Sequence, residues 1–325
     1  MSKHRELRQR CNECQKTMMW NSLNVCEECA VENRSSVNEQ SADVNQEEIT
    51  CNEKRNNNEK KNNSGRRCRV DAIKFKGKID EVKDEGVVRL FSVNCNGLGP
   101  QSSCKLEQIK KESNVRKIDG VMISSSDARW NMKNKTMMTN KLKSTNSNVI
   151  VNTSDSGEKV ETGSFFLKGG TFTALWSTIA NYVDRECMFE QKHGWWNSVM
   201  LKGNRKTIAL ITTCRLVDSE TRGVNSSKAQ CERAIGNVKR ARHIRAEQLR
   251  ELSEHVKTCG ATDVIITGDF NESVCSTNIQ NFMNETGLFD VFQEINGVDL
   301  EQRDATFEFG SKCVDYVLTA EGVLR

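Results

Sequence analysis

The sequence has almost no proline, no long apolar run and no apolar signal core. Pro100 is the single proline among 325 residues, which is few for a chain with so many loops and indicates a bias of composition. No apolar stretch approaches the roughly 18 residues that a membrane helix needs, and the N-terminus, Met1–Glu6, is polar. We therefore expect an intracellular protein, nuclear or cytoplasmic, with no membrane partner.

Neither sign of charge dominates the composition. Lysine and arginine number 48 against 44 aspartates and glutamates, which gives a net charge of +4 and an isoelectric point near 8.3. This balance is compatible with a polyanionic partner. The charge density is nevertheless far below that of a dedicated nucleic-acid binder, so charge alone does not assign a function.

Cysteine is abundant, and four of the fourteen cysteines form two C-x-x-C pairs near the N-terminus. A long chain without a secretory signal favours free thiols and a metal site over a disulfide framework. The pairs are separated by eleven residues, and four thiolates could close a structural Zn²⁺ site in a module spanning residues 1–34. The alternative is a leader segment whose paired cysteines bind no metal. The proposed ligands are Cys11, Cys14, Cys26 and Cys29.

Residues 35–85 form a low-complexity linker between this module and the main domain. The segment is rich in Asn, Glu, Lys, Gln and Ser, with residues 56–63 at its centre. Too little apolar surface is available there to offset the entropy of ordering the chain. The protein is therefore expected to fold over residues 86–325, with possible protein contacts through the N-terminal module.

In residues 86–325, short strand patterns alternate with segments of helical periodicity. Helical spacing of apolar residues indicates amphipathic helices after the first two strands and over residues 239–257. The start of the last helix, residues 239–245, is the densest basic cluster and could guide a nucleic-acid backbone or form a solvated face. The apolar positions of the three helices are Leu106, Ile109 and Val115; Met137, Met138 and Leu142; and Leu249, Leu252 and Val256.

Thr267–Asn271 is the most informative motif, because it places a carboxylate and a carboxamide directly after a buried strand. Gly268 permits a sharp turn of the backbone, so that Asp269 and Asn271 face the same cleft. Such a pair could align a water molecule and hold a phosphate. On its own, the motif is also compatible with an Asx-rich turn.

Further motifs follow in a set order along the chain: Asn94–Leu98 and Asp127–Trp130 after two strands, then Gly169–Gly170, and Ser311–Leu318 near the C-terminus. Together the set resembles the endonuclease/exonuclease/phosphatase (DNase I-like) superfamily, and is closest to the endonuclease domains of non-LTR retrotransposon-like elements. The resemblance implies an α/β fold, a four-layer sandwich of two packed mixed sheets flanked by helices. It also implies a Mg²⁺- (or Mn²⁺-) dependent hydrolase that cleaves phosphodiesters.

The resemblance gives four residues catalytic roles. Asp269 would orient or deprotonate the attacking water, and Asn271 would donate a hydrogen bond to the phosphate. Asn94 would lie near the metal and the water, and Asp315 would hold a histidine in the correct tautomer. Asn94 and Asp127 are the candidate Mg²⁺ ligands.

Two departures from the family pattern lead to two hypotheses. Ser125 stands where the family has the glutamate that binds Mg²⁺, although Asp127 could substitute, and no histidine follows Asp315. The domain is therefore expected to be truncated at its C-terminus. The first hypothesis is an endonuclease of retroelement origin that acts on nucleic acid, with DNA favoured. The second is an inactive relative, a pseudoenzyme that keeps the fold as a zinc-containing nucleic-acid or protein binding module.

Overall fold

Two mixed β-sheets pack face to face in the computed structural model, and helices cover their outer faces. The structure describes residues 19–20, 83, 86–98, 103–155, 169–217, 241–297, 306 and 313–324. The proposed zinc ligands lie outside these residues, so the N-terminal metal site and the boundaries at 34 and 85 stay predictions. In the described ranges, no helix is both long enough and apolar enough to cross a bilayer.

The first sheet has five strands. In spatial order, its first two pairings are parallel and its last two pairings are antiparallel. In spatial order these are β1 (Met19–Trp20), β2 (Arg89–Asn94), β3 (Gly120–Ser124), β5 (Thr171–Leu175) and β4 (Ile150–Ser154). The second sheet has six strands, and β8 and β9 are its parallel pair. Its order is β10 (Leu288–Asp290), β11 (Asp315–Ala320), β9 (Asp263–Asp269), β8 (Thr207–Cys214), β7 (Trp196–Lys202) and β6 (Val183–Glu190).

The helices fall into two sets, one for each sheet. Helices α1 and α2 pack on the first sheet, while α3 and α4 pack on the second. Their bounds are α1 Ser103–Val115, α2 Met132–Lys143, α3 Ala241–Thr258 and α4 Thr277–Thr286; short helices follow at α5 Val291–Asn296 and α6 Glu321–Leu324, and Ser177–Tyr182 is a 3₁₀ helix.

Three apolar clusters fill the space between these layers. The middle cluster joins the inner faces of the two sheets through residues such as Leu90, Met122 and Ile265. One outer cluster packs α1 and α2 on the first sheet, and the other packs α3 and α4 on the second. The order helix, sheet, sheet, helix confirms the four-layer sandwich.

The strands expected from apolar alternation are confirmed, but one helix position is wrong. Leu106 and Ile109 of α1 are buried, whereas Val115 is 66% exposed because it is the last residue of that helix. Strand β6 escaped the sequence analysis because all eight of its residues are at least partly exposed and give no alternation of apolar residues. Trp196, at the start of β7, is a core residue.

His255 on α3 is half-buried against two aromatic rings, one of which, Trp196, belongs to the outer cluster of the second sheet. Its ring centroid lies 4.4 Å from that of Trp196 and 5.1 Å from that of Phe189. Its Nε2 is buried without a hydrogen-bond partner. Burial lowers the pKa of His255 to about 4, so the folded protein favours the neutral imidazole.

We predict that His255 weakens the fold in acid. Its folded-state pKa of about 4 lies below the ordinary 6.5, so its full contribution is present above about pH 6.5 and is lost as the pH falls toward 4. The two pKa values correspond to about 3 kcal/mol as an upper limit. Urea unfolding at pH 7 and at pH 4.5 should show a larger loss in the wild type than in His255→Phe. His243→Phe, an exposed site on the same helix, should match the wild type; a loss equal in all three proteins would contradict the prediction.

Candidate active site

The site lies where the carboxyl-terminal ends of β2 and β9 meet across the two sheets. Asn94 ends β2, and its Nδ2 donates a 2.7 Å hydrogen bond to Oδ2 of Asp269, which ends β9. Asp315 begins β11 and is paired directly opposite Asp269 in the antiparallel register. Cross-strand partners point to the same face of a sheet, so the structure brings Asn94, Asp269 and Asp315 together.

Asp269 is a buried carboxylate that is held on both oxygens. It is 6% exposed, and its Oδ1 accepts a 2.9 Å bond from the backbone N–H of Asn271. Burial, and then the charge of Asp315, raise the pKa of Asp269 to about 7. Gly268 is required before it because a Cβ there would lie 1.9 Å from the carbonyl oxygen of Thr213 on β8.

Asp315 has no histidine partner in the described part of the chain. Its backbone N–H donates to Thr306 Oγ1 at 3.2 Å, and its Oδ1 is buried without a hydrogen-bond partner. Burial raises the pKa of Asp315, while the side chains of Thr306 and Asn94 act in the opposite sense. The predicted role of Asp315 in orienting a histidine stays a prediction, and its observed neighbours are Asp269 and Asn94.

Asn271 fastens the ends of two strands. Its Nδ2 donates to the backbone carbonyl of Arg215 at 2.7 Å, and the N–H of Arg215 donates to the carbonyl of Asp269 at 2.7 Å. The end of β8 is thereby tied to the end of β9. A phosphate that used the Asn271 amide would have to displace this bond, and the predicted phosphate contact stays a prediction.

Left-handed backbone conformations concentrate around this site. Four non-glycine residues in the loops at the strand ends have φ between 42° and 50°. Such conformations are unfavourable for most L-residues and persist where the surrounding structure imposes them. The site loops are therefore strained as well as hydrogen-bonded. The four residues are Asn96, Ser125, Asp127 and Asn271.

A neutral pair occupies the position that the resemblance assigns to an anionic metal ligand. Ser125 Oγ lies 3.3 Å from Cys214 Sγ. Burial, and then the charge of Asp269, raise the pKa of Cys214 to about 12, so the thiol stays protonated. This part of the site therefore supplies a hydroxyl and a thiol in place of a carboxylate.

Asp127 supports a turn in this structure. Asp127 is 3% exposed, and its Oδ1 accepts a 2.6 Å hydrogen bond from the backbone N–H of Gly169. Within the described ranges, no group of three or more His, Cys, Asp or Glu residues is arranged to hold a metal ion. Asp127 as a Mg²⁺ ligand stays a prediction.

The site offers few candidate ligand atoms, but they are oxygen atoms, the type that Mg²⁺ prefers. Asp269, Asp315 and Asn94 offer hard oxygen atoms, and the buried Oδ1 of Asp315 has no hydrogen-bond partner. Mg²⁺ keeps several of its waters and often takes only one or two protein carboxylates. The residues therefore fit a Mg²⁺ ion that is bound by two carboxylates.

A buried Arg–Glu–Arg cluster, which the sequence analysis missed, supports the loop after Asp269. Arg215 and Arg245 both contact Glu272 Oε2 at 2.5 Å, and Arg245 also donates to the carbonyl of Asn271 at 3.2 and 3.3 Å. Hydrogen bonds and the Arg215 charge outweigh burial and lower the pKa of Glu272 to about 2. Arg245 belongs to the basic 239–245 segment but is 6% exposed, so it stabilises the site from inside.

Comparison with known proteins gives weak similarity of fold. No protein-family model and no curated protein matches the chain. Among solved structures, an AP endonuclease from Archaeoglobus fulgidus is 13% identical with a TM-score of 0.45 and covers 72% of this chain and 87% of its own. The human nocturnin catalytic domain is 13% identical with a TM-score of 0.44, and the match covers 72% of this chain and 82% of nocturnin. Staphylococcus aureus beta toxin is 15% identical with a TM-score of 0.44, and the match covers 71% of this chain and 85% of the toxin. At this level of similarity the function has to be argued from the chain's own side chains.

We predict that Arg245→Met destabilises the protein by about 3 kcal/mol, because it removes one partner from a buried ion cluster. Arg250→Met on the same helix is the matched control. Arg250 pairs with Glu247 and Glu254, but its side chain is 61% exposed, so its removal should cost less than about 1 kcal/mol. Urea unfolding at pH 7 measures both changes. Equal losses in the two variants would show that the Arg245 cluster has no special contribution.

Proposed function

We propose that this chain is a phosphodiesterase-type hydrolase of retroelement origin that acts on nucleic acid, with DNA as the favoured substrate. The observation that carries the proposal is the grouping of Asn94, Asp269 and Asp315 at the junction of the two sheets, where Asp269 is buried, Asp315 is half-buried and Asn94 is exposed. Two carboxylates that face each other with little solvent around one of them destabilise a fold, and such arrangements cluster at functional sites. The order of the sequence motifs supports the retroelement origin.

Asp269 is the residue that acts on the attacking water. A general base works best when its pKa lies near the working pH, and the pKa of Asp269 is about 7. The hydrogen bonds from Asn94 and from the Asn271 backbone fix the carboxylate in one orientation. Asp269 can therefore accept a proton from a water that is placed beside it.

Mg²⁺ is the proposed cofactor, held by Asp269 and Asp315 with the Asn94 carboxamide oxygen alongside. When bound, such an ion supplies Lewis-acid polarisation of a phosphate oxygen. The chain's own contribution is to hold these oxygens close together before the ion arrives. Burial and then the charge of Asp315 raise the pKa of Asp269, and a bound cation would offset that charge.

Helix α2 supports a nucleic-acid substrate. It contains four lysines and no acidic residue, and it begins two residues after Trp130, close in sequence to the site loop at Ser125–Asp127. One of the lysines, Lys135, is paired with Glu190 at 2.6 Å. Lysine side chains contribute sequence-independent attraction to the phosphate backbone.

The neutral Ser125–Cys214 pair favours a second candidate function. With a hydroxyl and a thiol in place of a carboxylate, the affinity for Mg²⁺ falls and turnover can be lost. The chain would then be a module that binds nucleic acid or protein without cleaving it. Binding of duplex DNA with no cleavage at any Mg²⁺ or Mn²⁺ concentration would support this alternative over the enzyme.

Asp269→Asn should lower kcat at least about 100-fold, because the carboxamide cannot accept the proton of the water. The assay is Mg²⁺-dependent nicking of supercoiled plasmid and cleavage of a duplex containing an abasic site. Glu285→Gln is the control, since that carboxylate is 60% exposed on α4 and pairs only with Lys257 and Ser253 in the described contacts. Cleavage of bis(p-nitrophenyl) phosphate without cleavage of DNA would keep the phosphodiesterase and reject the nucleic-acid substrate.

Ser125→Glu should increase Mg²⁺ affinity at least about tenfold, because it adds a hard anionic ligand beside Asp269. Ser125→Gln is the matched control, because it has nearly the same volume and no charge. Isothermal titration calorimetry with Mg²⁺ measures the effect independently of turnover. If the two variants bind Mg²⁺ equally well, the added charge is not facing the site and the proposed ligand position is wrong.

A further inference from the structure

The loop after β2 directs its carbonyl groups toward one ammonium ion. Lys105 Nζ donates hydrogen bonds to the carbonyl oxygens of Cys95, Asn96 and Gly97 at 2.6, 3.1 and 3.2 Å. A lysine ammonium has three N–H donors, so these three carbonyls can use all of them. Lys105 is thus a half-buried cation held against the loop by three hydrogen bonds.

The amide groups of the same loop face the other way. Gly97 and Leu98 donate their N–H groups to the backbone carbonyls that follow β3, and Cys95 donates to the last carbonyl of β3. The N–H of Asn96 donates to Oδ1 of Asn94 at 3.3 Å. Every backbone polar group from residue 95 to 97 therefore has a partner, and the three carbonyls share Lys105.

Lys105 stands at a position that local preference disfavours. It is the third residue of α1, whose first turn has no acidic residue. A positive charge in the first turn of a helix opposes the helix dipole. Its contacts with the loop must offset this cost, so the reason for a lysine here lies in the tertiary structure.

We propose that Lys105 is a positioning residue that keeps the 95–97 loop in place, and with it the orientation of the Asn94 side chain toward Asp269. The loop is strained at Asn96, a non-glycine residue with a φ of 42°. Without the ammonium the three carbonyls lose their common partner, and the loop relaxes toward less strained conformations. The Asn96 N–H then leaves Asn94 Oδ1, which frees the carboxamide to rotate away from Asp269.

Lys105→Met tests this contact, with Lys111→Met as the control on the same helix. Methionine keeps the apolar stem and removes the charge, and Lys111 is exposed. The first readout is nuclear magnetic resonance of the Asn94 side-chain amide, assigned with Asn94→Ser. We expect its hydrogen-bonded shift to be lost in Lys105→Met, and the Gly97 and Leu98 amides to exchange at least about tenfold faster. Lys111→Met should leave both unchanged.

Chemical rescue separates positioning from a general loss of folding. Lys105→Ala leaves space for an alkylammonium ion, so added ethylammonium should restore the Asn94 signal, whereas the same concentration of sodium should not. A Lys105→Met protein that keeps the wild-type Asn94 signal and exchange rates would overturn the proposal, as would an Ala variant that ethylammonium does not restore.

The catalytic consequence rests on the proposed function. In the plasmid assay, Lys105→Met should lower kcat by about 10- to 100-fold with KM changed less than about twofold, because a misplaced Asn94 disturbs Asp269 without removing substrate contacts. Wild-type protein without cleavage would reject the proposed function, while the resonance measurements would still decide the role of Lys105. Cleavage by Lys105→Met at the wild-type rate would reject the catalytic role of the contact.

Discussion

The hydrogen bond from Asn94 to Asp269 is the interaction on which the site depends, because it joins side chains from two different sheets. Apolar packing between sheets is not directional, so it cannot by itself fix one sheet relative to the other. Directional bonds between the sheets do so at this end of the sandwich. Thr267 Oγ1 donates a 2.5 Å hydrogen bond to Ser92 Oγ, and Thr173 Oγ1 lies 2.6 Å from Thr212 Oγ1. Near the site, then, polar pairs set the alignment of the layers, while the apolar middle cluster supplies most of the burial.

The site itself contains unfavourable features, and contacts with surrounding residues stabilise it. A buried carboxylate faces a half-buried one, and the loops at the strand ends adopt left-handed conformations. Each feature is unfavourable alone. Two basic side chains counteract them: Lys105 holds the loop after β2, and Arg245 holds the loop after β9. The geometry of the candidate site is thus maintained by basic side chains from α1 and α3.

Apolar patterns and glycine carry the part of the fold that could be predicted from the sequence. The run before Asp269 is continuously apolar, as in a strand that is buried on both faces, and Gly268 marks a close approach of backbones that admits no side chain. Side-chain direction was less accessible. Arg245 stands in a basic segment that looks like a solvated face, yet it points inward because Glu272 and the Asn271 carbonyl lie there. Lys105 carries no local signal, since its three acceptors come from a loop that is placed by tertiary contacts.

The pair formed by Ser125 and Cys214 adds no charge to a site that already contains two facing carboxylates. A third carboxylate beside Asp269 and Asp315 would add repulsion in a poorly solvated place, and only a bound cation would balance it. The hydroxyl and the protonated thiol avoid this charge. The same neutrality weakens the attraction for Mg²⁺, so stability of the metal-free protein and affinity for the ion oppose each other at this position. At position 125 the chain has the neutral side chain, which favours the stability of the fold over attraction for the ion.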